Sequence, residues 1–182
     1  MVKKIGIICA GDREVEPFLS HIQDCKSSEK AMLKFYEGKI NDFDIVTLFC
    51  GVCKTNAAIA TQILVDTYKV DIVINAGTAG GMDKTLEIFD SVISTEVAHH
   101  DVHEVILTEF HPWMTSIFFK SDEVLLSLSR RVANRFNAKG NIYFGRMVTG
   151  EKFITDGGAD KNLDKKEPGG NPCIPMKNEP EQ

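Results

Sequence analysis

The sequence predicts an α/β protein with a central mixed sheet flanked by helices in three layers. Short apolar runs, such as residues 4–9 and 71–75, alternate with longer segments of helical periodicity. Continuous apolar runs of this length are typical of strands buried on both faces, and their alternation with amphipathic helices favours a largely parallel sheet. Hydrophobic residues make up 43% of the 182 positions, which is sufficient for a domain with a core.

The first strand is predicted over residues 4–9, and a helix is predicted directly after it. Asp12 is the candidate N-cap, and Pro17 falls early in the helix, where it can kink the first turns. The apolar residues of this segment recur on one helical face: Val15, Phe18, Leu19 and Ile22.

A pair of strands and a longer helix follow. Residues 31–39 and 44–49 read as strands joined by a turn at Asn41-Asp42. The helix is predicted over 55–69, with Thr55 as its cap. Its apolar stripe consists of Ile59, Ile63 and Leu64.

The second half continues the alternation, with strands predicted at 90–97 and 141–148 around a helix at 121–136. Ser121 is the candidate cap of this helix, and Asp122 and Glu123 favour its positive end. Its buried face is predicted to be Val124, Leu125, Leu128 and Val132. Residues 1–155 are therefore assigned to one domain. Residues 156–182 are rich in Gly, Pro, Asn, Lys and Glu, a composition that predicts a disordered tail.

Charge and cysteine content limit the classes of partner. The net charge is −5 and the isoelectric point is about 5.5, which excludes a basic surface for nucleic acid or anionic membranes. No apolar run approaches the roughly 20 residues of a membrane-spanning helix. Five cysteines, an odd number, suit reduced thiols in a cytoplasmic protein better than a disulfide framework.

Two short motifs lie where an α/β sheet binds ligands. The glycine-rich run 77–81 follows a predicted buried strand, and its glycines let the backbone approach a ligand. It lacks the Lys-Ser/Thr ending of a phosphate-binding P-loop, so a tight structural turn is an equal alternative. Cys50 and Cys53 form a CxxC that a redox dithiol or half a zinc site could use, but a ligand-lining turn is favoured because no second CxxC is present.

Polar clusters give two further candidates. His99, His100 and His103 suggest a metal site, but neighbouring strand residues point to opposite faces, so we predict no metal there. Glu14 stands at the start of the first helix, where the positive helix end keeps a carboxylate ionised, and it can act as a general base toward water. By itself, such a glutamate is more often only a solvated charge.

The order of these motifs along the chain resembles the 5′-methylthioadenosine/S-adenosylhomocysteine nucleosidases of the nucleoside phosphorylase superfamily. The similarity extends over about residues 4–155. It rests on the first strand followed by Glu14, then Gly51-Val52-Cys53-Lys54-Thr55-Asn56-Ala57-Ala58, Asn75-Ala76-Gly77-Thr78-Ala79-Gly80-Gly81, His100-Asp101, and Val148-Thr149-Gly150-Glu151-Lys152-Phe153-Ile154.

The resemblance implies a three-layer nucleoside phosphorylase-type fold and hydrolysis of an N-glycosidic bond, which releases adenine and a thioribose without a cofactor. Glu14 matches the water-activating glutamate. The substrate-binding residues implied by the resemblance are Val52 near the alkylthio group, Thr78 and Gly80 in the ribose and base turn, and Phe153 and Ile154 on the purine. A homodimer is implied too, with residues 110–113 as the candidate contribution to the partner's alkylthio pocket.

The sequence departs from the family pattern after Ile154. The family has a later Met-Glu, whose glutamate holds the ribose hydroxyls, and then a Ser-Asp, whose aspartate protonates the purine. Neither pair follows Ile154, and Lys177-Asn178-Glu179-Pro180 does not reproduce the first. The final strands and helix of the fold are absent with them, so we expect weak or no hydrolase activity, because loss of a general acid costs about 10²–10⁴ in rate. Cys53 also stands where the family has glycine.

Two alternatives remain beside a nucleosidase. One is a catalytically inactive nucleoside-binding module, which the missing aspartate favours. The other is a nucleoside phosphorylase of the same fold, which would need an anion site. The loop Ala10-Gly11-Asp12-Arg13 offers one arginine for that purpose.

Overall fold

The computed structural model describes residues 4–111, 113–136 and 139–151, together with the backbone of residues 174–175. The chain divides after Thr78 into two units, Met1–Thr78 and Ala79–Gln182, and each unit is built around its own sheet.

The first unit contains five strands and two helices: β1 (Lys4–Cys9), α1 (Asp12–Leu19), β2 (Gln23–Lys30), β3 (Leu33–Ile40), β4 (Phe43–Phe49), α2 (Lys54–Asp66) and β5 (Ile72–Asn75). The strand order is β2-β3-β4-β1-β5. The central strand β1 pairs in parallel with β4 and β5, whereas the β2–β3 and β3–β4 pairs are antiparallel.

Strand β1 is covered on both faces, as its continuous apolar run predicted. Ile8 faces a cluster that includes Phe35, Leu48 and Leu64. Its neighbours in sequence, Ile7 and Cys9, face the opposite cluster, which contains Val15 of α1. Because side chains alternate along a strand, a single six-residue run builds the core on both sides of this sheet.

In its described residues, the second unit contains four strands and two helices: β6 (Ser91–His99), α3 (Glu104–Glu109), β7 (Phe119–Lys120), α4 (Glu123–Ala133), β8 (Ile142–Thr149) and β9 (Ile174–Pro175). The order is β7-β6-β8-β9, with β6 and β8 parallel. Opposite charges support that pair, since Arg146 on β8 donates to Glu96 on β6 at 2.7 Å. Strand β9 lies within the segment predicted as a tail; the remainder of 152–182 lies outside the described residues.

Each predicted helix N-cap differs from the observed N-cap by one or two residues. Gly11, not Asp12, caps α1, and Cys53, not Thr55, caps α2. Asp122, not Ser121, caps α4 and accepts from the Leu125 amide at 2.9 Å, whereas Ser121 lies one residue earlier and its amide donates to the Thr95 carbonyl of β6.

The predicted buried face of α4 is wrong at three of its four residues. Leu126 is buried and Leu125 is half-buried, whereas Val124, Leu128 and Val132 are exposed by 46–75%. Leu128 lies about 160° around the helix axis from Leu126, given 100° per residue, so the exposed stripe is nearly opposite the packed one. The packed face also carries Arg130, whose guanidinium lies 4.3 Å from the centre of the Phe144 ring.

Helix α2 buries a smaller stripe than predicted. Leu64 and Ala60 are in the core and Ile63 packs against it, but Ile59 is exposed. None of the helices in the described residues is long and apolar enough to cross a membrane.

Strain at Cys53 generates a testable prediction. Its φ of 84° and ψ of 150° lie in a region that is natural only for glycine. Cys53→Gly should therefore raise the free energy of unfolding by roughly 1 kcal/mol, after allowing for the greater entropy that glycine gives the unfolded chain. Urea denaturation measures the change. Cys53→Ser, which removes the thiol but retains the Cβ, is the matched control, and an equal gain in both variants would contradict the strain argument.

Candidate active site

The candidate site lies at the carboxyl ends of three parallel strands in the first unit. Because β4, β1 and β5 run in the same direction, the segments that follow them emerge at one edge of the sheet. Two hydrogen bonds extend the pairing past the strand ends: the Cys50 amide donates to Cys9 at 2.9 Å, and the Ala76 amide donates to Ile8 at 3.0 Å. Sheets of this class bind ligands at this edge.

Glu14 is held at this edge by four hydrogen bonds. Its Oε2 accepts from the amides of Ala10 and Gly11, both at 2.9 Å. Its Oε1 accepts from the Thr78 amide at 2.6 Å and from the Thr78 hydroxyl at 2.7 Å. The carboxylate therefore caps the start of its own helix and joins it to the segment after β5, and it is not the solvated helix-start charge that composition alone would suggest.

These donors decide the protonation state of Glu14. Partial burial taken alone would raise the pKa of the carboxyl, but the bonds from Thr78, Gly11 and Ala10 outweigh burial and lower the pKa below its ordinary value of 4.5. Hydrogen bonds to a charged carboxylate favour the charged form. Glu14 is thus ionised at neutral pH, as a base must be before it can accept a proton from water.

Gly77 makes room for this carboxylate. A Cβ at residue 77 would lie 2.8–2.9 Å from the carboxylate atoms of Glu14, closer than van der Waals contact allows. The absence of a side chain there lets Glu14 lie directly over the backbone of the glycine-rich turn. Sequence reasoning found this turn but assigned no role to Gly77, since the need for a glycine became apparent only from the position of Glu14.

Two thiols lie close enough to the Glu14 carboxylate to be affected by its charge. Burial, and then the charge of Glu14, raise the pKa of Cys9 to about 11. Burial and the same charge raise the pKa of Cys50. Both thiols are thus protonated at neutral pH, which disfavours the redox hypothesis for Cys50 and Cys53 because a thiolate is the reactive form. No disulfide joins two of the four described cysteines.

The predicted substrate-binding residues are distributed as follows. Val52 follows β4 at the same edge of the first unit and is 70% exposed. Thr78 is brought into direct contact with Glu14. Gly80 belongs to the second unit and is exposed. Phe153 and Ile154 lie outside the described residues.

In the second unit, His100-Asp101 is brought to the Thr149-Gly150-Glu151 motif. The Asp101 carboxylate accepts from the Glu151 amide at 2.7 Å, and the His100 amide donates to the Thr149 carbonyl at 2.9 Å. The His100 ring occupies the space that a Cβ on Gly150 would need. Sequence reasoning placed both motifs in the resemblance without predicting that they touch.

The three clustered histidines serve different purposes. The His99 ring packs edge-on against Phe119, and His103 caps α3 by accepting from the Val105 amide at 3.3 Å. Within the described part of the chain, no group of three or more His, Cys, Asp or Glu side chains could hold a metal ion.

The fold and this edge site together define the class of protein: the chain belongs to the phosphorylase superfamily, whose family model matches residues 4–169. A curated 5′-methylthioadenosine/S-adenosylhomocysteine nucleosidase from Exiguobacterium is 36% identical over 155 residues, which is 84% of this chain and 66% of that protein. The chain thus spans about two thirds of the length of such curated relatives.

Solved structures of the same nucleosidases match the fold. The enzyme from Neisseria meningitidis in complex with methylthio-immucillin-A gives a TM-score of 0.81 at 31% identity. The match covers 94% of this chain and 74% of the Neisseria chain. The Colwellia psychrerythraea enzyme in complex with adenine gives a TM-score of 0.76 at 33% identity. That match covers 85% of this chain and 65% of the Colwellia chain. Within the superfamily, the chain is a homologue of the 5′-methylthioadenosine/S-adenosylhomocysteine nucleosidases, which confirms the resemblance and the predicted fold class.

The lowered pKa of Glu14 predicts an acid-dependent contribution to stability. The folded-state pKa is below the ordinary value, so the contribution is complete above pH 4.5 and is lost as pH falls through the folded-state value. Glu14→Gln should be less stable than wild type at pH 7, and the difference should shrink below pH 4.5. Thermal melts from pH 7 to pH 2.5 measure this. Glu16→Gln, an exposed glutamate of the same helix, is the control, and a Glu14→Gln deficit that stays constant with pH would contradict the assignment.

Proposed function

We propose that this chain recognises 5′-methylthioadenosine or S-adenosylhomocysteine and hydrolyses its N-glycosidic bond with Glu14 as the base. The observation that carries this proposal is an ionised carboxylate fixed at the carboxyl ends of three parallel strands, beside a backbone turn that a side chain would block. The relatives crystallised with adenine and with methylthio-immucillin-A support a purine nucleoside as the ligand.

The proposed chemistry is a displacement at the anomeric carbon of the sugar. Glu14 accepts a proton from water while the water oxygen bonds to that carbon. The carbon–nitrogen bond breaks, its electron pair passes to the purine, and the purine takes up a proton as it leaves. The sugar carries positive character in the transition state, which a nearby carboxylate stabilises.

The same charge favours hydrolysis over phosphorolysis. A phosphorylase must bring a phosphate anion to the anomeric carbon, and an ionised Glu14 would repel that anion. Water carries no charge and has a proton to give, so it is the nucleophile that this carboxylate suits.

The proposal assigns nucleoside binding and catalysis to different residues. By resemblance, Val52, Thr78, Gly80, Phe153 and Ile154 bind the nucleoside and Glu14 supplies the base. The Met-Glu and Ser-Asp pairs of the family pattern do not occur in residues 155–182, so we assign no residue of this sequence to purine protonation or to the ribose hydroxyls.

We also propose that the chain forms a homodimer through the segment 110–113. Phe110 and Trp113 are exposed by 73% and 75%, which is unusual for two large aromatic side chains so close in sequence. Pro112 between them lies outside the described residues.

Adenine release from methylthioadenosine by the purified chain tests the function, with and without phosphate. We expect phosphate-independent release that falls by about 10²–10⁴ in Glu14→Gln, because the variant lacks the base. Glu16→Gln should match wild type. Release that requires phosphate would identify a phosphorylase. Nucleoside binding without release would identify an inactive binding module, and the absence of both would refute the proposal.

Sedimentation equilibrium tests the dimer. The wild-type chain should sediment at twice its 20.2 kDa mass, and the double variant Phe110→Ala, Trp113→Ala should shift toward the monomer. Phe89→Ala, which removes another exposed aromatic ring of the same unit, is the matched control. A wild-type monomer, or a double variant as dimeric as wild type, would rule out this interface.

A further inference from the structure

The four hydrogen bonds to Glu14 use all of its acceptor positions. An ionised carboxylate has about four lone-pair positions in its plane, two on each oxygen. The amides of Ala10 and Gly11 take those of Oε2, and the amide and hydroxyl of Thr78 take those of Oε1. A general base must itself accept a hydrogen bond from the proton that it removes. In this arrangement, a nucleophilic water has no position left on the carboxylate.

The four donors differ in their freedom to leave. Three are backbone amides, and they are fixed by the structure around them: Gly11 caps α1, and the segment leading to Thr78 is tied to β1 by the bond from Ala76 to Ile8. The fourth is the Thr78 hydroxyl, which can leave Oε1 by rotation about one side-chain bond. It is therefore the donor that can be exchanged without moving the backbone.

We propose that the Thr78 hydroxyl masks Glu14 and that a bound nucleoside unmasks it by accepting that hydroxyl's hydrogen bond. This inference rests on the proposed function and adds a positioning role for Thr78. The hydroxyl has a single hydrogen, so it cannot donate to Oε1 and to a ligand oxygen or nitrogen simultaneously. Once the hydroxyl turns to the ligand, one position on Oε1 is open to the water.

This exchange would couple the activity of the base to occupancy by substrate. The Thr78 amide remains bound to Oε1 throughout, so the carboxylate keeps its place while its fourth donor changes. The titratable groups that face Glu14 in the first unit are the thiols of Cys9 and Cys50, on β1 and after β4, and both are uncharged at neutral pH. Asp12, Arg13 and Glu16 share its helix. A change in the titration of Glu14 on binding would thus come from the ligand and Thr78.

Carbon-13 titration of the Glu14 carboxyl, with and without the 7-deaza analogue of methylthioadenosine, tests the exchange. The analogue is uncharged and lacks the nitrogen that must be protonated for cleavage, so it stays intact. In wild type, binding should raise the pKa of Glu14, since a hydroxyl fixed at 2.7 Å is exchanged for a mobile water, which is the weaker donor to the charged form. Thr78→Val retains the shape and the amide but has no hydroxyl, so its Glu14 should titrate higher than wild type without ligand and respond less to binding. Thr78→Ser restores the hydroxyl and should restore the wild-type response.

A crystal structure of the wild-type complex gives a second readout that does not depend on the variants. The distance from Thr78 Oγ1 to Glu14 Oε1 should lengthen from 2.7 Å to beyond hydrogen-bonding range, with a ligand atom as the new acceptor. An unchanged distance, or equal ligand-linked titration in wild type, Thr78→Ser and Thr78→Val, would overturn the exchange while leaving nucleoside binding intact. Failure of wild type to bind the analogue would refute the proposed function, and the exchange with it.

Discussion

The hydrogen bonding of one carboxylate ties the first unit together at the carboxyl ends of its parallel strands. Glu14 caps the helix that follows β1 and at the same time binds the segment that follows β5. Neither segment is part of a regular ladder there, so without the carboxylate their amides would need other acceptors. The same bonds that complete the local structure also keep the side chain ionised, so the stability of this edge and the proposed chemistry depend on the same group.

This arrangement requires a particular sheet order. Only because β1 lies between β4 and β5 do the residues after all three strands meet at one edge. The core follows the same order, since the alternating side chains of β1 pack against α2 on one face and α1 on the other. The continuous apolar run at the beginning of the chain thus fixes the position of the site as well as the core.

The sequence was a good guide wherever burial determined the structure. Strand β1 was predicted with the bounds observed, because each of its residues has apolar surroundings on one side or the other. Strand β2 was missed, since all eight of its side chains are exposed and its pairing with β3 depends on the backbone. The same limit applied to the site: the resemblance identified Glu14 and Thr78, but three of the four donors to Glu14 are backbone amides, which no residue type encodes. The exposed apolar stripe of α4 shows the converse limit, because periodicity identifies an apolar face without saying which face packs.

Gly77 and Gly150 share a property that matters for how this protein can change. At each position, a side chain from elsewhere in the same unit, the Glu14 carboxylate or the His100 ring, lies where a Cβ would be. At each of the two positions the neighbouring side chain fits because glycine has no Cβ, and every other amino acid would add one. At most positions in a protein, one amino acid can be replaced by another of similar size. At Gly77 and Gly150 even the smallest replacement adds a Cβ, so a mutation there must be accompanied by a compensating change in the partner side chain. As the sequence of this protein diverges, we therefore expect the two glycines to be retained while other positions change.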